Sequence, residues 1–80
     1  MEWVVYILKC ADGTLYTGIT NDLAGRIAAH EAGTGAKYTR GRGPFMLAYS
    51  EGCADRSVAS RREMAIKALG RDEKLRLCGG

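Results

Sequence analysis

The feature that most constrains this chain is a short segment near its start, in which every residue from Trp3 to Leu8 is apolar or aromatic. β-Branched and aromatic residues dominate the segment, which indicates a β-strand over Trp3–Lys9. Successive side chains of a strand point to opposite faces, so a strand that is apolar at both parities is buried on both faces. We therefore expect this strand to lie at the centre of a sheet.

Turn and capping signals divide the rest of the chain into short elements. Asp12-Gly13 marks a hairpin turn, and Asn21 and Asp22 are residue types that cap helix N-termini. The sequence predicts further strands at residues 14–20 and 45–50, helices at residues 23–32 and 57–69, and a short helical turn within residues 72–77. This β-β-α-β-α order predicts an α+β fold, with a three-stranded antiparallel sheet flanked by helices. At 80 residues, the chain is expected to form one domain over residues 1–80.

Composition excludes several classes of protein. Apolar residues make up 46% of the chain, which is typical of a globular domain and too high for a disordered one. No apolar run approaches the ~20 residues that span a bilayer, and the first run lacks the features of a signal peptide. We therefore expect a cytoplasmic protein with no membrane partner. The cysteines, Cys10, Cys53 and Cys78, are too widely spaced for a zinc site and odd in number, so we expect neither zinc nor a disulfide framework.

The basic residues are concentrated in the middle of the chain, although the net charge of +3 is mild. Residues 33–43 hold four glycines and are expected to form a flexible loop without a regular element. Lys37, Tyr38, Arg40 and Arg42 in this loop combine cations with an aromatic ring. That composition suits contact with a phosphate backbone and stacking on an exposed base. A solvated loop with scattered charge explains the same composition equally well.

The hairpin turn decides whether two tyrosines share a face of the sheet. A two-residue loop would place Tyr6 and Tyr16 on opposite faces. A three-residue loop, Ala11-Asp12-Gly13, with its glycine in the left-handed conformation of a bulge, would pair Tyr6 with Gly18. We expect the three-residue loop, because both tyrosines then lie on one polar and aromatic face and Gly18 leaves space beside Tyr6. Tyrosines are also common in strands with no role in a site.

Two helices supply further polar side chains at the edge of the expected core. Arg26 and His30 lie one turn apart on the first helix, at the border of its apolar stripe. The buried stripe of the second helix is expected to consist of Val58, Ala65, Ile66 and Leu69, with Ala59 at its edge. Glu63 lies beside that stripe, and burying an unpaired carboxylate is costly. We expect Glu63 either to pair with Lys67 at i+4 or to bind Mg²⁺, which accepts oxygen ligands and keeps several waters.

The order of these motifs resembles the GIY-YIG nuclease domain, and within it the short stand-alone bacterial branch. The similar segments are Val4-Val5-Tyr6, Tyr16-Thr17-Gly18, Asn21-Asp22-Leu23 leading to Arg26 and His30, the loop from Gly33 to Gly43, and Glu63 in a late helix. Each motif is weak alone, but their order and spacing over residues 3–69 are specific. The resemblance implies a compact β-β-α-β-α fold and a metal-dependent phosphodiesterase site.

The resemblance also implies a role for each matching residue. Tyr6 and Tyr16 correspond to the two motif tyrosines, one of which activates the attacking water. Gly18 corresponds to the motif glycine. Arg26 corresponds to an arginine that stabilises the negative charge of the transition state, and His30 falls where relatives carry a tyrosine or histidine near the phosphate.

Glu63 corresponds in this resemblance to the sole protein ligand of the metal ion, Mg²⁺ with Mn²⁺ as an alternative. The resemblance therefore implies an endonuclease that hydrolyses phosphodiester bonds in DNA or a structured nucleic acid, in repair or recombination. The alternative is a nucleic-acid-binding module with little or no catalysis, which the small size and mild charge favour. A protein-interaction domain with an idle site is a third hypothesis, and the sequence names no protein partner.

Overall fold

Three antiparallel strands in the order β2-β1-β3 form the sheet of a computed structural model, which describes residues 2–79. The elements are β1 (Trp3–Lys9), β2 (Leu15–Thr20), α1 (Leu23–Glu31), β3 (Met46–Cys53), α2 (Arg56–Lys67) and α3 (Arg71–Leu77). β1 is the central strand, and its residues from Val5 to Leu8 have no exposed surface. The predicted α+β fold and the central position of the first strand are confirmed.

The hairpin between β1 and β2 has the expected three-residue loop. Tyr6 lies opposite Gly18, Leu8 lies opposite Tyr16, and Gly13 has a φ of 85°. Directly paired residues of neighbouring strands project to the same face of a sheet. Tyr6 and Tyr16 therefore share one face, as the loop sequence predicted.

Strand β3 is longer than predicted and continues through a glycine. It covers Met46–Cys53 rather than residues 45–50, and Gly52 pairs with Val4. We expected the strand to end before Gly52, because glycine weakens strand interiors. Pairing with the full length of β1 overrides that local preference, and a register shift beside Ile7 accommodates the extra residue of β3.

One face of the sheet packs against α2 through apolar side chains. The core cluster consists of Val5, Ile7, Cys53, Ala59 and Ile66. The predicted stripe of α2 is wrong in part, because Val58 and Ala65 are exposed and Ala59, expected at the edge of the stripe, is fully buried. The two alanines of α2 lie on different sides of the helix and leave its periodicity ambiguous, so contact with the sheet decides which side is buried.

The side of α2 that faces β3 also carries a charged residue, Arg62. The Nε of Arg62 donates to both carboxylate oxygens of Glu51 on β3, at 3.2 and 3.0 Å. The hydroxyl of Tyr49 donates to the same carboxylate. The charged end of Arg62 is therefore paired where α2 meets β3.

Helix α1 covers the opposite face of the sheet. It begins after Asp22, whose carboxylate accepts a hydrogen bond from the backbone N–H of Gly25 at 3.2 Å. His30 near its end is only 1% exposed. The expected border position of His30 is therefore wrong, since this side chain is buried between α1, β1 and the basic loop.

The basic loop contains more regular structure than predicted. It includes a 3-10 turn at Lys37–Thr39, and Thr39 is 1% exposed. The backbone N–H of Ala11 donates to the Arg42 carbonyl at 2.9 Å, which joins the loop to the hairpin turn. The expectation of a loop without a regular element is wrong, because contacts with α1 and the hairpin supply order that its glycines do not.

Helix α3 is the last element of the described chain. It covers Arg71–Leu77 and is longer than the short turn that we predicted within residues 72–77. The carboxylate of Glu73 accepts a hydrogen bond from the backbone N–H of Gly70 at 3.3 Å, and so caps the first turn. Arg71 donates to the carbonyl of Gly13 at 3.0 Å, which ties α3 to the hairpin. Within residues 2–79, no helix combines the length and apolarity needed to cross a membrane.

Candidate functional site

Two tyrosines and a glycine meet on the sheet face that α1 covers. The ring centroids of Tyr6 and Tyr16 are 6.4 Å apart, with the ring planes at 50°. A Cβ added to Gly18 would lie 2.6 Å from the phenol oxygen of Tyr6 and 3.0 Å from the Tyr16 ring. Any side chain at this position would displace the rings. Gly18 therefore leaves the space beside Tyr6 that we predicted, and the rings of Tyr6 and Tyr16 occupy it.

His30 connects the Tyr6 phenol to the basic loop through a chain of hydrogen bonds. The hydroxyl of Thr39 donates to the Ala36 carbonyl at 2.9 Å, so its oxygen is left to accept from Nδ1–H of His30 at 2.7 Å. This assigns the tautomer of the ring. Nε2 of neutral His30 then accepts from the Tyr6 hydroxyl at 2.9 Å. The imidazole is held at both nitrogens, and its orientation relative to Tyr6 is fixed.

Thr39 is a site residue that the sequence interpretation missed. Its hydroxyl orients His30, and Gly35 lets the loop approach closely enough for that contact. A Cβ at Gly35 would lie 2.6 Å from Nδ1 of His30 and 3.1 Å from its Cα. In the sequence, Thr39 is only an uncharged polar residue between Tyr38 and Arg40. Its role becomes visible once the loop packs against α1 and brings its hydroxyl to His30.

Arg26 is the cation beside both phenols. Burial raises the pKa of Tyr6 above its ordinary value, and the neighbouring guanidinium of Arg26 offsets only part of that rise. The interaction with Tyr6 in turn raises the pKa of Arg26. Burial, and then the charge of Arg26, lower the pKa of His30. At neutral pH the site therefore holds a protonated phenol, a neutral imidazole and a guanidinium cation.

Glu63 reaches the site from α2. Its charge contributes to the raised pKa of Tyr6, which places the carboxylate within electrostatic range of that phenol. Its Oε2 lies 3.3 Å from Nζ of Lys67, and the Glu63 side chain is 20% exposed. The i+4 ion pair considered from the sequence is thus present. The pair leaves the carboxylate partly open to solvent, so it does not prevent Glu63 from binding a cation.

The basic loop divides into engaged and unengaged cations. Arg42 donates to Asp12 at 2.6 Å and to the Tyr38 carbonyl at 2.7 Å. Its guanidinium lies 4.7 Å from the centroid of the Tyr38 ring, which stacks on Tyr16 with centroids 5.8 Å apart. Lys37 and Arg40 are exposed, and neither forms an ion pair with any residue from 2 to 79. Arg42 thus supports the structure, whereas the other two cations point to solvent.

A second set of cations lies near the site and was not predicted. Two adjoining hollows on the surface share Leu15, Tyr38 and Lys74 as lining residues. Lys67 lines one hollow and Arg71 lines the other. In the sequence, Lys67, Arg71 and Lys74 are spaced by four and then three residues, as residues on one side of a helix would be. Gly70 interrupts the helical pattern between the first two, so the sequence did not show that the three side chains lie on one side.

The structure therefore brings five of the ten predicted site residues into one cluster, which we call the tyrosine cluster. Its members are Tyr6, Tyr16, Gly18, Arg26 and His30, with Thr39 added by the structure. Glu63 lies within electrostatic range of this cluster. Among the loop residues, Tyr38 reaches the cluster directly by stacking on Tyr16.

Comparison with known proteins shows which family the chain is similar to. Residues 2–76 match the family described as the GIY-YIG catalytic domain. A UPF0213 protein of Desulfotalea psychrophila is 59% identical over 73 residues, which cover 90% of this chain and 66% of that relative. A UPF0213 protein of Oceanobacillus iheyensis is 55% identical over 73 residues, which cover 91% of this chain and 85% of the relative. The chain thus spans about two thirds of the first relative's length and most of the second's.

Two solved structures share the fold. The solution NMR structure of a UPF0213 protein from Bacillus halodurans superposes with a TM-score of 0.63 at 47% identity, covering 99% of this chain and 84% of that one. The solution NMR structure of a protein from E. faecalis gives a TM-score of 0.66 at 37% identity, covering 95% and 81% of the two chains. A nuclease-type function, with nucleic acid as substrate, follows from the family match at this coarse level. The chain belongs to the GIY-YIG family of nuclease domains, and its close relatives are UPF0213 proteins.

Proposed function

We propose that this chain is a Mg²⁺-dependent endonuclease that hydrolyses phosphodiester bonds in DNA or a structured nucleic acid, in repair or recombination. The observation that carries the proposal is the grouping of Tyr16 and Arg26 around the buried phenol of Tyr6, with Glu63 near enough for its charge to act on that phenol. Metal-dependent phosphodiester hydrolysis uses a group that orients water, a cation that stabilises charge on phosphorus and a ligand for the metal ion. These three side chains supply one of each.

Glu63 is the residue that would hold the metal ion. No group of three or more His, Cys, Asp or Glu side chains suited to a metal occurs within the described chain, residues 2–79. A single carboxylate still suits Mg²⁺, which keeps several waters and also binds substrate phosphate, and Mn²⁺ prefers the same oxygen ligands. When bound, such a cation stabilises negative charge on the scissile phosphate and on the leaving oxygen.

Arg26 is the residue that would bind the scissile phosphate. Its guanidinium already lies beside the phenols of Tyr6 and Tyr16, and it is half-buried. Partial burial strengthens its interaction with a phosphate oxygen compared with the same contact in bulk water. Its planar group of donors can hold two oxygens at once, which also fixes the orientation of the phosphate.

The two tyrosines differ in what they can contact. Tyr6 has no exposed surface, donates its hydroxyl hydrogen to His30 and stays protonated at neutral pH. Tyr16 is partly exposed and lies at the edge of the tyrosine cluster. We therefore assign to Tyr16 the hydrogen bond that orients the attacking water. Tyr6 acts as a positioning residue, which fixes His30 and Arg26 around the phosphate.

The proposal is tested by a cleavage assay with Mg²⁺ or Mn²⁺ on single-stranded, duplex and branched DNA and on RNA. Glu63→Gln preserves the shape of the side chain and removes its charge. We expect cleavage to fall by more than about a hundredfold, because a neutral amide is a poor ligand for a hard dication. The free energy of unfolding should change by only a few tenths of a kcal/mol, which is roughly the contribution of a partly exposed ion pair.

Glu2→Gln provides the matched control, since it removes the same charge from an exposed position. Cleavage by this variant should equal that of the parent. Titration of Mg²⁺ followed by NMR should shift amides around Glu63 in the parent and in the control, but not in Glu63→Gln. Equal cleavage and equal shifts in the parent and Glu63→Gln would contradict the proposed metal site.

A second candidate function is a nucleic-acid-binding module with little catalysis. The ion pair between Glu63 and Lys67 favours it, because the ammonium group already neutralises the carboxylate. This function predicts salt-dependent binding to nucleic acid, no cleavage of any substrate and no Mg²⁺ shifts near Glu63. The NMR titration therefore separates the two functions even before a substrate is identified.

A further inference from the structure

We propose that a cleft between β2 and α3 binds one unpaired nucleotide of a nucleic-acid strand, next to the phosphate held at the tyrosine cluster. We call it the α3 cleft, and it consists of the two adjoining hollows lined by Leu15, Tyr16, Tyr38, Lys67, Arg71 and Lys74, with parts of Thr14 and Thr17. The inference rests on the proposed function for the position of the neighbouring phosphate. The binding of a nucleotide in the cleft is argued from the cleft itself.

The shape of the α3 cleft limits what can occupy it. One hollow has a volume of ≈ 330 Å³ and the other ≈ 190 Å³, and they meet at Leu15, Tyr38 and Lys74. The larger value lies at the lower end of the volumes of small-molecule sites. A base with its sugar and phosphate therefore suits the cleft in volume.

The charges around the α3 cleft favour an anion. Lys67, Arg71 and Lys74 all line it. Arg71 donates one hydrogen bond to the carbonyl of Gly13. That carbonyl is neutral, so the contact does not neutralise the charge of Arg71. In the chain from residue 2 to residue 79, Arg71 and Lys74 form no ion pair, and Lys67 pairs only with Glu63. Phosphate oxygens are the natural partners of such cations in a nucleic acid.

The aromatic wall of the cleft favours a base. Tyr38 is 47% exposed, so part of its ring is open to solvent. Its position is held by stacking on Tyr16 and by the guanidinium of Arg42 at 4.7 Å from its centroid, so the ring presents its edge to the cleft. Leu15 adds an apolar surface beside it. A base can contact these apolar groups with its face, while the cations beside them suit the phosphate of the same nucleotide.

Tyr16 connects the α3 cleft to the tyrosine cluster. One ring lines the cleft and also lies 6.4 Å from the Tyr6 ring, between centroids. A strand that places a phosphate at Arg26 would therefore pass Tyr16 and enter the cleft with its neighbouring nucleotide. The α3 cleft thereby predicts a preference for substrates with an unpaired nucleotide beside the cleavage position, such as an overhang, flap or branch.

The test measures binding by fluorescence anisotropy in EDTA, so that cleavage and divalent ions play no part. The probes are a blunt DNA duplex and the same duplex with a single-stranded overhang of DNA or of RNA. Lys74→Glu is compared with Arg76→Glu, a matched charge reversal on the same helix at an exposed residue that lines neither hollow. Lys74→Ala is a milder variant for the case in which charge reversal harms folding, which melting temperatures will reveal.

We expect Lys74→Glu to weaken overhang binding by about tenfold at low salt and to weaken blunt-duplex binding much less. For the overhang probe, the logarithm of the binding constant falls linearly with the logarithm of the salt concentration. Lys74→Ala should make this slope shallower by about 0.7, the value for the loss of one phosphate contact with a single strand. Arg76→Glu should weaken both probes slightly and equally. Binding of either the DNA or the RNA overhang supports the α3 cleft, and the stronger one identifies the preferred sugar.

Equal effects of Lys74→Glu and Arg76→Glu on the overhang probe would overturn the inference, since only net charge would then matter. Amide shifts in the parent on adding the overhang strand must also include Leu15, Tyr38 and Lys74. Shifts confined to other residues would overturn it as well. Failure of the proposed nuclease function would appear differently, as absent cleavage together with intact overhang binding at these residues.

Discussion

The two faces of β1 serve different purposes, although one strand supplies both. Ile7 faces α2 in a cluster of apolar side chains that includes Ile66. Tyr6, its neighbour in sequence, faces α1 and is bound to His30, which is bound in turn to Thr39. Apolar burial is non-directional and depends mainly on area, whereas a hydrogen bond depends on distance and angle. One face of β1 therefore mainly stabilises the fold, and the other mainly sets the geometry of the site.

The largest expected effect concerns the apolar face. Ile66→Ala removes a fully buried side chain from the core cluster and should lower the free energy of unfolding by about 2–5 kcal/mol. Urea denaturation monitored by circular dichroism would measure the loss. Met64→Ala is the control, because Met64 lies on the same helix and is 67% exposed. At a temperature where the variant stays folded, nucleic-acid binding should match the parent, and weakened binding there would show that the two faces are not independent.

A smaller effect is expected on the polar face. Tyr6→Phe keeps the ring but removes the hydroxyl that donates to His30, which leaves Nε2 of a buried imidazole unpaired. The free energy of unfolding should fall by about 1–3 kcal/mol. Tyr16→Phe should cost less, because Tyr16 is partly exposed and water can replace its contacts. If our assignment of the two tyrosines is right, Tyr16→Phe should nevertheless reduce the rate of cleavage strongly, although its loss of stability is small.

Equal losses of stability in the two phenylalanine variants would contradict the distinction between a positioning tyrosine and a solvent-facing one. The readout for Tyr6 is the NMR signal of His30. In Tyr6→Phe this signal should broaden or shift, because the ring loses one of its two fixed partners. A purely structural role of Tyr6 in packing would leave the His30 signal unchanged, since the phenyl ring would still fill the same space.

The smallest expected effect is a dependence of stability on pH, again confined to the polar face. The pKa of His30 is lower in the folded protein than the ordinary value of 6.5, so the unfolded chain binds more protons as the pH falls through that region. The free energy of unfolding should therefore be greatest above about pH 6.5 and decrease as the pH falls from there. Urea midpoints measured between about pH 7.5 and 5.5 check this, within a window where His is the side chain that titrates.

The chain contains one histidine, which makes the assignment of this pH dependence direct. His30→Gln should flatten the profile in that window while lowering stability at every pH. A parent whose stability rises on acidification through the same window would contradict a neutral, buried imidazole. Ile66→Ala should keep the slope of the parent, because the apolar face carries no group that titrates there.

Much of the fold could be predicted because its signals are local. The unbroken apolar run of β1 identified the central strand, and the spelling Ala11-Asp12-Gly13 identified the register that puts Tyr6 and Tyr16 on one face. The helix positions were also close, since caps such as Asp22 act within a few residues. Errors arose where a distant segment decided the outcome. β3 passes through Gly52 because β1 offers a partner there, and α2 buries Ala59 because the sheet selects that side.

The strand order around β1, the hairpin register and the kinds of residue in the site follow from the sequence alone. The packing of distant segments, in contrast, makes Thr39 orient His30, binds Arg42 to Asp12 and brings Lys74 and Tyr38 to the same hollow. The two groups differ in the range of the forces that set them. Backbone conformation and alternation follow from neighbouring residues, whereas burial, pKa shifts and the lining of a cleft arise from segments far apart in the chain. No local pattern specifies those until the sheet and its helices are packed.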